Sequence, residues 1–178
     1  MRRVAAVALA LLAAACASPE APAPEPAAPA PLPGAQALER TQAALALYEG
    51  ACLANLSDLA GVPAAFEAAG LSSTAQSGIW RADNAGVLGG YRTGLPENGR
   101  QCSVIVAGIE REVFAAKIGA VLAQRLSGAR AREEAGGLVW RVQREGRRVV
   151  AAVALEGARA GRPVTVALLE VYPGGIGG

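Results

Sequence analysis

Apolar positions along the chain change their period several times, and each change marks a predicted element. Over residues 36–53 the chain is rich in Ala and Leu, and Leu38, Leu45, Tyr48 and Cys52 recur at steps of seven, three and four. That spacing predicts a helix with one apolar face. Asn55-Leu56-Ser57-Asp58 reads as a cap and turn. Pro63 suits the first turn of a short helix over 63–69, with Gly70 at its C′ position. Residues 71–84 are Ser-rich and polar around Trp80, and read as a loop or frayed strand. Residues 86–93 form a strand weakened by Gly86, Gly89 and Gly90, and 94–99 a turn. Residues 101–108 form a clear strand in which Cys102, Val104 and Val106 share a face. The two strands predict a hairpin.

Residues 110–126 give the best helix, with Phe114, Ile118, Val121 and Leu122 in one stripe. Glu110 and Glu112 favour its positive N-terminus and Arg125 its C-terminus. Gly119 in mid-helix costs about 1 kcal/mol against Ala, which predicts a close backbone contact there. Three strands follow. In the first, Leu138, Trp140 and Val142 alternate with Val139, Arg141 and Gln143. Glu145-Gly146 makes a tight turn into 147–155, where Val149, Ala151, Val153 and Leu155 share a face. Residues 157–163 read as a loop and 164–172 as the last strand.

Short connections between the last strands imply antiparallel pairing. The predicted fold is α+β: helices on one face of a mostly antiparallel sheet of about five strands. A single domain is expected over 38–173, large enough for a real core, with 174–178 a flexible Gly tail.

The start of the chain is not domain-like. Met1-Arg2-Arg3 is positive, residues 4–15 are apolar, and Cys16 follows. This is the layout of a secretory signal peptide, too short to span a bilayer. Leu12-Ala13-Ala14-Ala15-Cys16 resembles the lipobox of bacterial lipoproteins, with Ala13 standing where Leu is customary. The resemblance covers about 16 residues and implies lipidation of Cys16 after removal of 1–15. It also implies anchoring in a membrane, and Ala17 after the Cys implies the outer membrane facing the periplasm. Ala13-Ala14-Ala15 and Ala15-Cys16-Ala17 also fit an ordinary A-x-A cleavage site, which would leave a soluble periplasmic protein. Residues 16–37 then form a tether, holding seven of the 11 prolines. Alternating Pro and Ala favours extended polyproline II.

With Cys16 acylated, Cys52 and Cys102 remain as an even pair in an oxidising compartment. Both are read as facing the apolar interior, and a disulfide between them is expected. The rival reading is two buried free thiols; a redox motif is absent.

The chain has no His and carries 17 basic against 15 acidic residues. Lacking His, it has neither a Ser-His-Asp triad nor a His-ligated metal. No phosphate-loop, dinucleotide or calcium-loop pattern occurs. The small net charge of +2 speaks against nucleic acid. No cofactor, metal or catalytic residue is therefore expected. The carboxylate pairs Glu110/Glu112 and Glu133/Glu134 read as a helix start and a solvated loop; Lys117 snorkels from a helix edge. Trp80 and Trp140 read as core, with a groove as the alternative. The one charge cluster runs over 125–148, where seven Arg face three Glu. Within it, Arg141, Arg144, Arg147 and Arg148 are the candidate site for an anionic envelope polymer or an acidic envelope protein. The rival reading is an Arg-rich hairpin tip that keeps a sheet edge soluble. The expected function is a non-enzymatic binding or structural module on a lipid anchor. The alternative is an envelope hydrolase working with carboxylates alone.

Overall fold

The computed structural model describes residues 34–82, 86–127, 129–134, 137–159 and 162–174, the side chains of 155–159 and 162 excepted. Cys16, the leader, most of the tether and residues 175–178 lie outside the described residues. Helix α1 spans Gly34–Leu47, beginning ahead of the Leu38 boundary. It runs into a single π turn, Tyr48–Cys52, and a 3-10 turn, Leu53–Asn55. Helix α2 spans Val62–Ala68 and α3 spans Arg111–Arg125.

The strands are β1 (Ser72–Ser73), β2 (Ile79–Arg81), β3 (Val87–Arg92), β4 (Arg100–Ala107), β5 (Ala131–Glu134), β6 (Gly137–Arg144), β7 (Arg147–Arg159) and β8 (Arg162–Pro173). They form one sheet in the order β1-β2-β3-β4-β8-β7-β6-β5, with every neighbouring pair antiparallel. The α+β class and antiparallel pairing hold, but the sheet has eight strands, not about five. The three missed strands, β1, β2 and β5, are short and mostly exposed, so they carry almost no period-2 signal. The predicted loop over 157–163 is also mostly strand. After a bulge between Leu155 and Ala158, pairing resumes at Ala158↔Pro163 and Arg159↔Arg162.

The core lies between the helices and one face of the sheet. Cys102, Val104 and Val106 of β4, Val149, Ala151 and Val153 of β7, and Ala167, Leu169 and Val171 of β8 pack in one cluster with Tyr48, Phe66, Phe114, Ile118 and Leu122. Trp80 and Trp140 belong to the same core. Trp80 packs on Phe66 with ring centroids 5.5 Å apart. Gly89 makes room for that pair: a Cβ there would sit 2.8 Å from the Phe66 ring. Gly119 has a matching cause, since a Cβ on it would lie 3.3 Å from the Trp140 indole. The close neighbour is thus a ring on β6, not backbone.

Along α1 the buried residues are Thr41, Ala44 and Leu47, while Leu38 is exposed. Of the predicted stripe, Tyr48 and Cys52 are buried and Leu45 packs half-buried against the core, whereas Leu38 lies outside it; Thr41, Ala44, Leu47 and Ala51 complete the seam. Thr41 is tolerated in the seam because its hydroxyl donates to the Ala37 carbonyl at 2.7 Å. The Cys52–Cys102 disulfide, with Cα atoms 5.5 Å apart, ties this turn to β4. Tyr48 donates its hydroxyl to the Leu168 carbonyl at 3.2 Å, and full burial pushes its pKa up.

Candidate functional site

The β6–β7 hairpin places the four candidate arginines. Its two-residue turn has Glu145 at φ 51° and Gly146 at φ 71°, the type I′ geometry whose twist matches flanking strands. Arg144 pairs directly with Arg147 across it. Side chains alternate faces along a strand. Arg144 follows Trp140 and Val142 onto the helical side, and Arg147 shares that side with Val149. Arg141 and Arg148 fall on the opposite side. The structure thus brings together two of the four and separates the other two.

On the helical side, an open cleft of about 440 Å³ lies between the hairpin end, the last turn of α3 and the 3-10 turn after α1. Leu53, Leu56 and Val149 supply apolar wall; Ser57, Gln124, Arg125, Arg144, Glu145 and Arg147 supply polar groups. Arg144 is committed within the protein. It donates Nη1 to the Arg125 carbonyl at 2.7 Å, satisfying an orphan acceptor at the α3 C-terminus, and Nε to Glu145 at 3.4 Å. The Arg147 guanidinium has no hydrogen bond or ion pair with another described residue. It also borders a second cleft of about 280 Å³ lined by Asp58, Asn98, Arg100, Val171 and Pro173. There Arg100 is already paired with Asp58 at 3.5 Å. Arg147 is therefore a half-buried cation bordering both clefts, with no acceptor among the described residues.

The other two arginines are held. Arg148 donates to Glu97 at 2.7 Å and lies 4.2 Å above the Tyr172 ring. Arg141 pairs with Glu134, a contact that holds the Glu134 carboxyl below the usual range and raises Arg141. Tyr172 is pushed up to about 12, by desolvation first and by its hydrogen bond to Glu170 next.

The carboxylates do not converge. Glu110 holds the N-cap position of α3 without a side-chain capping hydrogen bond, and Glu112 faces solvent beside Arg111, lowered by its own backbone N–H and by that guanidinium. Glu133 and Glu134 alternate faces on β5. Among the described residues, no group of three or more Cys, Asp or Glu could hold a metal ion, and no helix is long and apolar enough to cross a membrane.

No protein-family description, curated protein or solved structure matches this chain.

The cleft walls contributed by Leu53, Ser57 and Gln124 were not legible in the sequence. Leu53 and Ser57 meet the hairpin because the disulfide and the core seat the α1 extension against β4, and Gln124 because α3 packs on β7 and β8. The split of the arginines had a signal: the I′ turn fixes Arg144 opposite Arg147, and parity then sends Arg148 to the other face.

Proposed function

We propose that this chain is a lipid-anchored lipoprotein of the bacterial envelope whose folded domain is a binding module, not an enzyme. In this reading Cys16 carries the lipid, and the Pro/Ala segment holds the domain away from the outer membrane on its periplasmic side. The domain takes an acidic group of an envelope protein or polymer in the cleft beside Arg147. The observation that carries the binding reading is the Arg147 guanidinium itself. It stands partly buried at the meeting of two clefts, without an acceptor among the described residues. A guanidinium offers several donors in a fixed plane, suited to carboxylate or phosphate. The Cys52–Cys102 disulfide supports the compartment, because such bonds persist where the surroundings are oxidising.

Two measurements test this. Mass analysis of the mature N-terminus is expected to find diacylglyceryl-modified Cys16; an unprocessed Met1, or a cut that leaves no lipid, refutes the anchor. A photocrosslinking residue at Ser57, inside the cleft, is expected to trap an envelope component in living cells. Arg147→Glu should abolish that adduct, and Arg141→Glu, on the other side of the sheet, should leave it intact. An adduct indifferent to Arg147→Glu refutes the binding site.

A further inference from the structure

One groove of the fold has walls without a polar side chain. It is an open trough of about 310 Å³ beside α1, and every residue lining it is Ala, Leu or Val. Leu47, Leu71 and Val87 are buried along its floor, while Ala43, Ala46 and Ala69 are exposed at its mouth. Helix α1 supplies one wall, the chain leaving α2 the other, and the start of β3 the base.

Arg40 stands at one end of this trough. It lies three residues before Ala43 and seven before Leu47, so all three share a face of α1. Its guanidinium reaches the end of the sheet, where Nη1 donates to the Ala107 carbonyl at 3.1 Å. Gly86, the residue before Val87, makes room for it: a Cβ there would fall 2.7 Å from the guanidinium carbon. Arg40 is half-buried. Among the described residues no carboxylate pairs with it, and its remaining N–H groups have no acceptor. A cation drawn partly out of water without a counter-charge is costly unless a ligand supplies one.

We infer that this groove binds a fatty acid, with the hydrocarbon chain along the trough and the carboxylate on Arg40. Two observations choose that occupant. A wall with no hydrogen-bonding side chain suits a hydrocarbon; a peptide buried there would leave its N–H and C=O groups unpaired. The guanidinium at the end complements an acid head, which it can hold through parallel N–H donors. The dimensions select a single chain. From Arg40 to Leu47 the groove follows α1 for about 10 Å at the helical rise, which fits one medium-length chain such as decanoate and not the paired chains of a phospholipid. The groove shares no lining residue with the two clefts that meet at Arg147, so it stands independently of the function proposed for them.

The test is photocrosslinking of the full chain with decanoate carrying a diazirine at its methyl end, the adduct being placed by mass spectrometry of peptides. The adduct is expected within residues 43–47 and 69–71. Excess unlabelled decanoate should displace the probe; decyltrimethylammonium, the same chain with a cationic head, should not. Ala46→Phe fills the mouth from an exposed helix position and should abolish the adduct with the melting curve unchanged. Arg40→Gln keeps a donor for the Ala107 carbonyl but removes the charge, and should cut capture about tenfold, the scale of a charge-assisted hydrogen bond. Arg40→Lys should retain most of it, and Arg147→Glu all of it. No saturable adduct, an adduct indifferent to Ala46→Phe, or equal capture by the Gln and Lys variants overturns the inference. So do adducts confined to the exposed Leu38 and Val113, which a micelle- or membrane-facing surface would give.

Discussion

The disulfide closes a loop with a sequence separation of 50 and joins two sites that are both fully buried. Replacing both cysteines by alanine frees that loop in the unfolded chain, which the chain-entropy treatment values at about 4 kcal/mol. The native side loses two sulfur atoms from the seam between the π turn and β4. That void adds a further cost on the order of 1 kcal/mol. For a domain of this size each kcal/mol lowers the melting temperature by roughly 3–5 °C, so calorimetry of Cys52→Ala/Cys102→Ala should show a fall of about 15–25 °C. The single variants supply the sharper check. Either one already opens the loop, so each should lose nearly the full amount and the double variant little more. A fall of a few degrees, or single effects that add, would refute the view that the covalent loop is the main stabilising term at this site.

Other substitutions probe packing and capping. Gly89→Ala should lower the melting temperature, because the new methyl lands on the Phe66 ring; overpacking of this kind costs about 1–3 kcal/mol, and an unchanged melt refutes the contact. Arg144→Gln should cost about 1 kcal/mol by leaving the α3 C-terminal carbonyl of Arg125 without its donor, read as a shift in the urea midpoint at constant slope. Alkaline titration followed by tyrosinate absorbance should find Tyr172 ionising near pH 12 in the folded protein, and Tyr48 ionising only as the protein unfolds. Both phenols keep their protons in the native state above the pH where the unfolded chain releases them. Stability should therefore decline as pH rises beyond about 10; a flat profile there refutes the burial of Tyr48.

Elements with a strong, uninterrupted period were readable. The stripe of α3, the alternation of β4 and the Glu145-Gly146 turn each state their structure within a few residues. The edges were not. Ala131-Arg132-Glu133-Glu134 becomes a strand only because β6 is beside it, and Ser72-Ser73 only because β2 is. The π turn at Tyr48–Cys52 is announced by no local pattern. Leu38 was expected in the seam and lies outside it, in the first turns of α1, where the buried residues begin only at Thr41. The candidate site was half legible. The arginines lie on the β6–β7 hairpin, but the partners that occupy Arg148 and Arg141, namely Glu97 and Glu134, and the wall that leaves Arg147 open, come from distant segments. Only tertiary packing brings those together.

The placement of β8 has a consequence for how the molecule matures. It is the last strand in chain order, yet it stands between β4 and β7. Until it inserts, two separate four- and three-stranded meanders each show a naked inner border, a standing invitation to mispair. A chain with this layout commits to its final shape only after nearly all of it has been synthesised, so interruption a dozen residues before the end of β8 should yield protease-fodder and not a smaller working domain.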